Sequence, residues 1–288
     1  MRRSTQEEYA RRVLLAQRAI ETALDEPPTP RDVARRVGMA PHHFHRVFRG
    51  QTGESVMQYA RRLRLERAAR PLRSAPPSSL LELALEAGYG SHEAFTRAFT
   101  TAFGRSPSAY RDDPVEARAS CPEIAPFEND VEVRREPKRE LVAMRHTGPF
   151  ANVPATWERL HGWWGARGAS ATPRMYGLVH DDPTVTTEAL LRYDACLEVD
   201  VASVDAPAAR TELPAGLYAV ARQTGPYDRL HELYLGLVGV WFPRSGYVLD
   251  PAPTVEWYVN SPHDTPAEGL VTEIWVRIEE RGWITSPA

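Results

Sequence analysis

Apolar positions keep a helical period through the first 112 residues of this chain, and beyond about residue 130 alternating segments join them. Residues 6–24 set Tyr9, Val13, Leu14, Ala16, Ile20, Ala23 and Leu24 at helical spacing, with Arg and Glu on the other side. A second helix is predicted from Thr29, with Thr29 as N-cap, Pro30 at the first helical position and Asp32 in the first turn. Pro41 opens a helix holding His42, His43, His45, Arg46 and Arg49. A longer one is expected from about Ser55 to Arg70, with Pro76 and Pro77 closing the connection. Ser79 starts the helix of LLELALEAG, and Ser91 caps a last one. Residues 112–130 are Pro-rich, acidic and without period, which predicts a linker. Past it, LLRYDACLEV from Leu190 and LVTEIWVRI from Leu270 read as alternating strands.

Each half of the chain also repeats itself. VGMAPHHFHRVFRGQTGESVMQY, Val37 to Tyr59, returns as AGYGSHEAFTRAFTTAFGRSPSAY, Ala87 to Tyr110. A shift of 51 puts Phe44 on Phe95, Arg46 on Arg97, Phe48 on Phe99, Gly53 on Gly104, Ser55 on Ser106 and Tyr59 on Tyr110. Gly38 and Gly88 mark the turns of two helix-turn-helix units, where a positive φ lets one helix end and the next leave at a steep angle. In the second half, LVAMRHTGPFANVPATWERLHGWW from Leu141 matches YAVARQTGPYDRLHELYLGLVGVW from Tyr218 at a shift of 77. Each copy predicts a short strand, a Thr-Gly-Pro-aromatic turn and an amphipathic helix. The pair predicts one antiparallel sheet with helices on one face and a cleft between halves.

Charge follows the same division. The formal net charge of −3 splits into 19 Arg and no Lys against 12 acidic groups in residues 1–112, and 16 basic against 26 acidic groups in the rest. A basic first part suits phosphate binding; the alternative is that its Arg residues are solvated helix faces. All seven Trp and seven of eleven Tyr lie in the second part. Cys121 and Cys196 have no metal-ligand spacing and imply no disulfide framework. With no apolar leader and no run of 18 apolar residues, a cytoplasmic protein without membrane contact is expected.

The motif A-x-x-x-G-x-x-x-x-x-F-x-R-x-F-x-x-x-x-G stands at Ala34, Gly38, Phe44, Arg46, Phe48 and Gly53, and again, with one more residue between Gly and the first Phe, at Ala84, Gly88, Phe95, Arg97, Phe99 and Gly104. Over residues 5–111 the chain resembles the AraC/XylS family of bacterial transcription regulators. The resemblance implies double-stranded DNA as partner, with base contacts from the exposed face of each second helix: His42, His45 and Arg46, then His92, Glu93, Ala94 and Arg97. It also implies transcriptional activation, with RNA polymerase as a candidate contact. Two departures are His42, where a Trp or another residue stands in relatives, and Pro71 near the end of the linking helix. The TGPF and TGPY turns, YGLVHDDP at Tyr176–Pro183, RYDACLEV and TEIWVRI resemble the GyrI-like effector-binding domain, and the order of the two parts is that of Rob-type regulators. In relatives a last-strand carboxylate sits at the floor of an aromatic cleft facing cationic ligands. The resemblance puts Glu273 there.

Phe44, Phe48, Phe95 and Phe99, at i, i+4 spacing, are expected in the core. Arg46 and Arg97 either grip guanine bidentately or pair with local carboxylates. His42, His43 and His45 lack a Cys or acidic partner, so they read as surface groups at a helix start, suited to phosphate or base, and not as a metal site. Arg49 is expected on phosphate. On the last strand Glu273, Trp275 and Arg277 share one face and Ile274, Val276 and Ile278 the other. A carboxylate beside Trp suits a cation. The other wall candidates are Trp164, Tyr176, Trp241, Trp257 and Tyr258, any of which could instead fill the core. Glu256, flanked by Trp257 and Tyr258, is a second carboxylate candidate.

The expectation is therefore two domains: an all-α double helix-turn-helix over 1–112, a linker at 113–127, and an α+β pseudo-symmetric antiparallel-sheet domain over 128–288. The function expected is a DNA-binding regulator controlled by a small amphipathic effector, without metal, cofactor or catalytic residues. The alternative is a hydrolase or detoxifying binder fused to a DNA-binding domain, with Glu273 as general base.

Overall fold

The computed structural model describes residues 5–74, 79–112, 130–168 and 172–280. The expected linker and the Pro76–Pro77 closure lie outside these. The chain forms two compact units, one helical and one built on a sheet.

Among the described residues seven helices belong to the first unit: α1 (Thr5–Glu21), α2 (Pro30–Arg36), α3 (Pro41–Thr52), α4 (Val56–Ser74), α5 (Leu80–Glu86), α6 (His92–Phe103) and α7 (Pro107–Asp112). The caps are those the sequence predicts. Thr29 accepts from the Asp32 amide, Ser79 from Glu82 and Ser91 from Ala94. Two boundaries differ: α1 ends at Glu21, before Ala23 and Leu24, and α4 continues through Pro71 to Ser74. The repeat is a repeat of packing. Phe44 and Phe48 stand 5.5 Å apart, as do Phe95 and Phe99, and all four are fully buried. Tyr59 meets Phe48 edge-on at 5.8 Å, and Tyr110 meets Phe99 the same way at 5.3 Å. Each turn closes by one device. The Met39 amide reaches back to the Ala34 carbonyl and the Tyr89 amide to the Ala84 carbonyl, both at 2.9 Å, across Gly38 and Gly88 at φ +66° and +77°.

The second unit is one sheet of nine strands: β1 (Val131–Glu136), β2 (Arg139–Thr147), β3 (Arg174–Val179), β4 (Arg192–Glu198), β5 (Ala209–Leu213), β6 (Gly216–Thr224), β7 (Tyr247–Leu249), β8 (Thr254–Tyr258) and β9 (Val271–Glu280). Its order is β1-β6-β9-β8-β3-β4-β2-β5, with β7 also on β9. Helix α8 (Val153–Gly165) packs on β2 and β4. Helix α9 (Leu230–Tyr234) packs on β6 and runs through a π-helical Leu235–Trp241 into α10 (Phe242–Ser245). The sequence repeat becomes an approximate twofold relating β2-α8-β3-β4 to β6-α9-β8-β9. The Gly148 amide donates to Leu191 and the Gly225 amide to Leu270; the His180 amide donates to Arg192 and the Val259 amide to Val271. The shift is thus 77 at the turns and 79 in the closing strands. Because β3 pairs antiparallel with β8, that shift puts the axis at Gly177 and Glu256, which face each other in the register.

The sheet curls, and chain connectivity requires it. Only Pro137 and Lys138 join β1 to β2, and only Pro214 and Ala215 join β5 to β6, yet each pair stands six places apart in the order. A flat sheet would separate them by roughly 29 Å at about 4.8 Å per strand, whereas three Cα–Cα steps reach at most about 11 Å. The two ends of the sheet therefore meet. On the inner face Leu213 of β5 and Leu141 of β2 share a core with Tyr218, Tyr176, Val255 and Trp275. On the outer face Ala219, Ala221, Ile274, Val276 and Ile278 pack against Leu230, Leu233 and Leu237 of the helical segment.

Candidate nucleic-acid interface and ligand cleft

In α3 the two buried phenylalanines fix which residues face outward. His42, His45, Arg46 and Arg49 are all exposed and, at i, i+3, i+4 and i+7, form one stripe. Arg46 and Arg49 have no carboxylate at ion-pair distance among the described residues, although many other arginines of the unit do. Arg12 holds Glu8 at 2.9 Å, and Arg62 lies between Glu54 and Glu66 at 2.9 and 3.1 Å. Arg35 pairs with Asp32 and Arg67 with Asp25, and Arg64 donates to the Leu24 and Asp25 carbonyls. The Arg excess is thus partly internal scaffolding, and Arg46 and Arg49 of the α3 stripe are among the arginines that do not take part in it. His43, although exposed, sets its ring edge-on to Tyr9 at 5.2 Å and so points toward α1.

In α6 the positions equivalent to the α3 stripe are Glu93, Thr96, Arg97 and Thr100. Arg97 and Thr100 are exposed. Ala94 and His92 are half-buried, with the His92 Nε2 3.5 Å from the Thr96 hydroxyl. A hydrogen bond from its own backbone amide, and a second with Ser91, hold the Glu93 carboxyl below its ordinary range. It is folded onto the helix start, where a carboxylate offsets the helix dipole. Thr96 and Thr100 are absent from the sequence-based choice, though the shift of 51 applied to His45 and Arg49 points to them.

In the second unit the outer face of the sheet carries a buried carboxylate. Glu256 pairs with Ile274 on one side and Gly177 on the other, so its side chain emerges among the helices, between the two halves. Tyr234 of α9 donates to Oε1 at 3.0 Å, and Tyr258 donates to Oε2 at 2.5 Å. The Tyr258 hydroxyl is 2.9 Å from that of Tyr193, to which the Trp157 indole donates at 3.2 Å. Tyr227 and Trp157 both stand edge-on to Tyr258, at 5.3 and 5.6 Å, and Phe150 faces Tyr193 at 6.5 Å. Two symmetry mates, Phe150 and Tyr227, come from the paired turns; Trp157 and Tyr234 are the mates from the paired helices. His161 lies against Trp157 and 6.0 Å from His263. Burial, then the neighbouring His263, lowers its proton affinity.

Gly177 makes this arrangement fit. A Cβ there would lie 2.2 Å from the Tyr193 hydroxyl, so the symmetry mate of Glu256 has to lack a side chain for the tyrosine ring to lie over the strand. No Lys or Arg among the described residues pairs with Glu256. Burial pushes its carboxyl above the ordinary range, opposed by the hydroxyls of Tyr258, Tyr234 and Tyr193. Burial and the Glu256 charge together raise Tyr193, Tyr234 and Tyr258 well above ordinary phenols, so these hydroxyls remain donors.

The expectation that Glu273 forms the cleft floor is corrected. Its face of β9 turns into the closed inner side of the sheet, where Arg134 meets Oε2 at 2.5 Å and the Trp275 indole donates to the same oxygen at 2.9 Å. Trp275 and Tyr176 are fully buried there, with Trp257 packed against both. Strand parity keeps these residues off the helix side. Trp241 stacks on Tyr247 at 6.2 Å, packed against the core under α9, and Trp164 is half-buried on α8. Of the eight residues expected to bind a ligand, Glu256 and Tyr258 stand together in this aromatic cluster. Tyr193, Tyr234, Tyr227, Trp157 and Phe150 complete it.

A family model of the GyrI-like small molecule binding domain matches residues 129–279, and a helix-turn-helix domain model matches residues 33–113. The right origin-binding protein of Escherichia coli K12 is 36% identical over 96 residues, 33% of this chain and 32% of that protein. The transcriptional regulator Rob of Salmonella typhimurium LT2 is 37% identical over 93 residues, 32% of each. These alignments span about a third of the length of either relative. The crystal structure of the EcmrR C-terminal domain superposes with a TM-score of 0.44 at 20% identity, covering 53% of this chain and 99% of that one. No described helix is long and apolar enough to cross a membrane.

Proposed function

Because the chain belongs to the GyrI-like small molecule binding family and carries a helix-turn-helix domain, we propose that it is a transcription regulator whose DNA binding answers to a lipophilic organic cation held at Glu256. One observation carries this reading: a buried carboxylate with no cationic partner among the described residues, ringed by aromatic side chains, in the same chain as a doubled DNA reader. Such a carboxylate is costly to bury when empty. A cation without strong hydration supplies the missing charge, and Tyr227, Tyr258, Trp157 and Phe150 supply aromatic surface whose faces attract it. The relatives named as regulators favour the same reading.

In this reading α3 is the principal reader. Arg46 and His45 face the bases, Arg49 meets phosphate, and α6 contributes Arg97, Thr96 and Thr100. The α3 N-terminus has no side-chain cap, so its first amides are available to a phosphate. The effector acts only through different affinities for two states of the protein. The test is binding of methyltriphenylphosphonium and of its neutral counterpart triphenylphosphine oxide, read by Trp fluorescence, together with binding to genomic DNA fragments. Glu256→Gln is expected to weaken the cation more than tenfold, about 1.4 kcal/mol or more, and to leave the neutral analogue unchanged. Glu273→Gln should change neither. Equal cation binding by the unmodified protein and Glu256→Gln would remove Glu256 from the site. For the hydrolase alternative, mass spectrometry of recovered ligand is decisive: unaltered ligand after long incubation supports a sensor.

A further inference from the structure

The hydroxyl relay at Glu256 has a fixed direction. The Trp157 indole only donates, so it fills an acceptor position on the Tyr193 oxygen. Tyr193 then donates to Tyr258, and Tyr258 donates to Oε2 of Glu256. A proton on Oε2 would reverse this order. Tyr258 would donate to Tyr193, whose own hydroxyl would then have no acceptor left within the relay. A proton on Oε1 leaves the order of this relay unchanged: Tyr234 turns from donor to acceptor, and only its own hydroxyl hydrogen gives up its partner.

We propose that Glu256 exchanges a proton for the effector: in the empty cleft the proton sits on Oε1 facing Tyr234, and a monovalent organic cation enters by displacing it to solvent. Binding converts the neutral carboxylic acid and a cation into a carboxylate–cation pair and one free proton, so the charge of the cleft does not change. The proposal rests on the cation-binding reading of the cleft. It makes affinity a function of pH above the range in which an exposed carboxylate titrates.

The titratable groups around Glu256 are Tyr193 of β4, Tyr258 of β8, Tyr234 of α9 and Tyr227 of the second turn, all phenols that stay protonated near neutrality. His146 at the end of β2 bonds the Pro149 carbonyl at 2.9 Å. His161 of α8 lies against Trp157, and its ring stands 6.0 Å from that of His263. Cation entry could expel a proton from them, so they are the controls.

Calorimetry of the full chain with methyltriphenylphosphonium, in buffers of different ionisation enthalpy between pH 5 and 8, counts released protons. The expected result is close to one proton per cation at the acid end, with Kd tightening up to tenfold per pH unit and then levelling off. Triphenylphosphine oxide should release none. His161→Gln with His263→Gln should keep the count, and Glu256→Gln should abolish it. Tyr234→Phe, which removes only the donor to Oε1, should keep the count and move the levelling to higher pH; it stands in if Glu256→Gln does not fold. Cation binding with no proton released at any pH overturns the exchange while leaving the cleft a cation site, as does a count that vanishes in the histidine variants. No binding of the cation by the unmodified chain overturns both.

Discussion

Replacing Gly177 by Ala isolates the contact on which the cleft is built. Its backbone does not need glycine, since it lies in a regular strand and is not among the residues at positive φ. In open space such a change stabilises by about 0.4–1 kcal/mol, through the unfolded chain. Here the new methyl would lie 2.2 Å from the Tyr193 hydroxyl and 2.7 Å from the ring carbon that bears it. The ring must retreat by about 1 Å to restore ordinary contact, yet its hydroxyl is held by Trp157 at 3.2 Å and Tyr258 at 2.9 Å. Overpacking of this kind costs about 1–3 kcal/mol, and loosening two buried hydrogen bonds adds about 1 kcal/mol each. A net loss of about 2–4 kcal/mol is expected, or roughly 5–15 °C in the midpoint of a domain this size. All seven Trp lie beyond residue 112, so Trp fluorescence during urea unfolding follows the sheet unit without interference from the helical one. The same substitution in a Tyr193→Leu background should cost less than half as much, because the clashing atoms are gone. Equal stability of Gly177→Ala and the unmodified protein, or an equal loss in both backgrounds, would refute the account of the glycine.

The remaining expectations concern separate parts of the chain. Arg46→Ala should weaken a selected DNA site by about 1–3 kcal/mol and relax one base position; uniform weakening over all sequences in a binding-selection assay would make it a phosphate contact instead. Phe48→Ala should destabilise the helical unit by about 3–5 kcal/mol, measured by circular dichroism at 222 nm, with the Trp-monitored transition unmoved. Burial raises the Glu256 carboxyl in the fold above the ordinary carboxylate range that it keeps in the unfolded chain. Its contribution is therefore full below that range and lost as pH rises toward the folded value. The stability of the unmodified protein relative to Glu256→Gln should accordingly fall across this window, and a rise would reverse the assignment.

The helical unit was legible because every signal in it is local. Thr29, Ser79 and Ser91 cap within three residues, Gly38 and Gly88 set their own backbone, and the repeat at 51 carries the packing of Phe44 onto that of Phe95. The same repeat held the second reader's stripe. The resemblance names Ala94 and His92, whereas the internal register points to Thr96 and Thr100. The α4 helix running past Pro71 shows a local rule yielding: Leu72 is fully buried, and packing holds the last turn.

The cleft was half legible for a reason of geometry. Alternation along TEIWVRI says that Glu273 and Trp275 share a face, but it is silent on which face the helices cover. A carboxylate beside a Trp looks alike as a ligand site and as the partner of a buried arginine. What distinguishes them is Arg134, which comes from a strand 139 residues away in sequence, through a pairing that no local pattern states. Connectivity does contain the answer. Once β1 and β2 are placed six strands apart, their two-residue link forces the sheet to close, and the face that closes becomes a core. The opposite face is left for the helices and for Glu256. The internal repeat narrows it further, because a twofold axis between antiparallel neighbours has to pass through a residue pair, and here that pair is Gly177 and Glu256. One copy gives up its side chain so that the other can hold a charge where the two halves meet. A site on a pseudo-twofold axis is made asymmetric by such a difference, and in this chain the difference is one glycine against one glutamate.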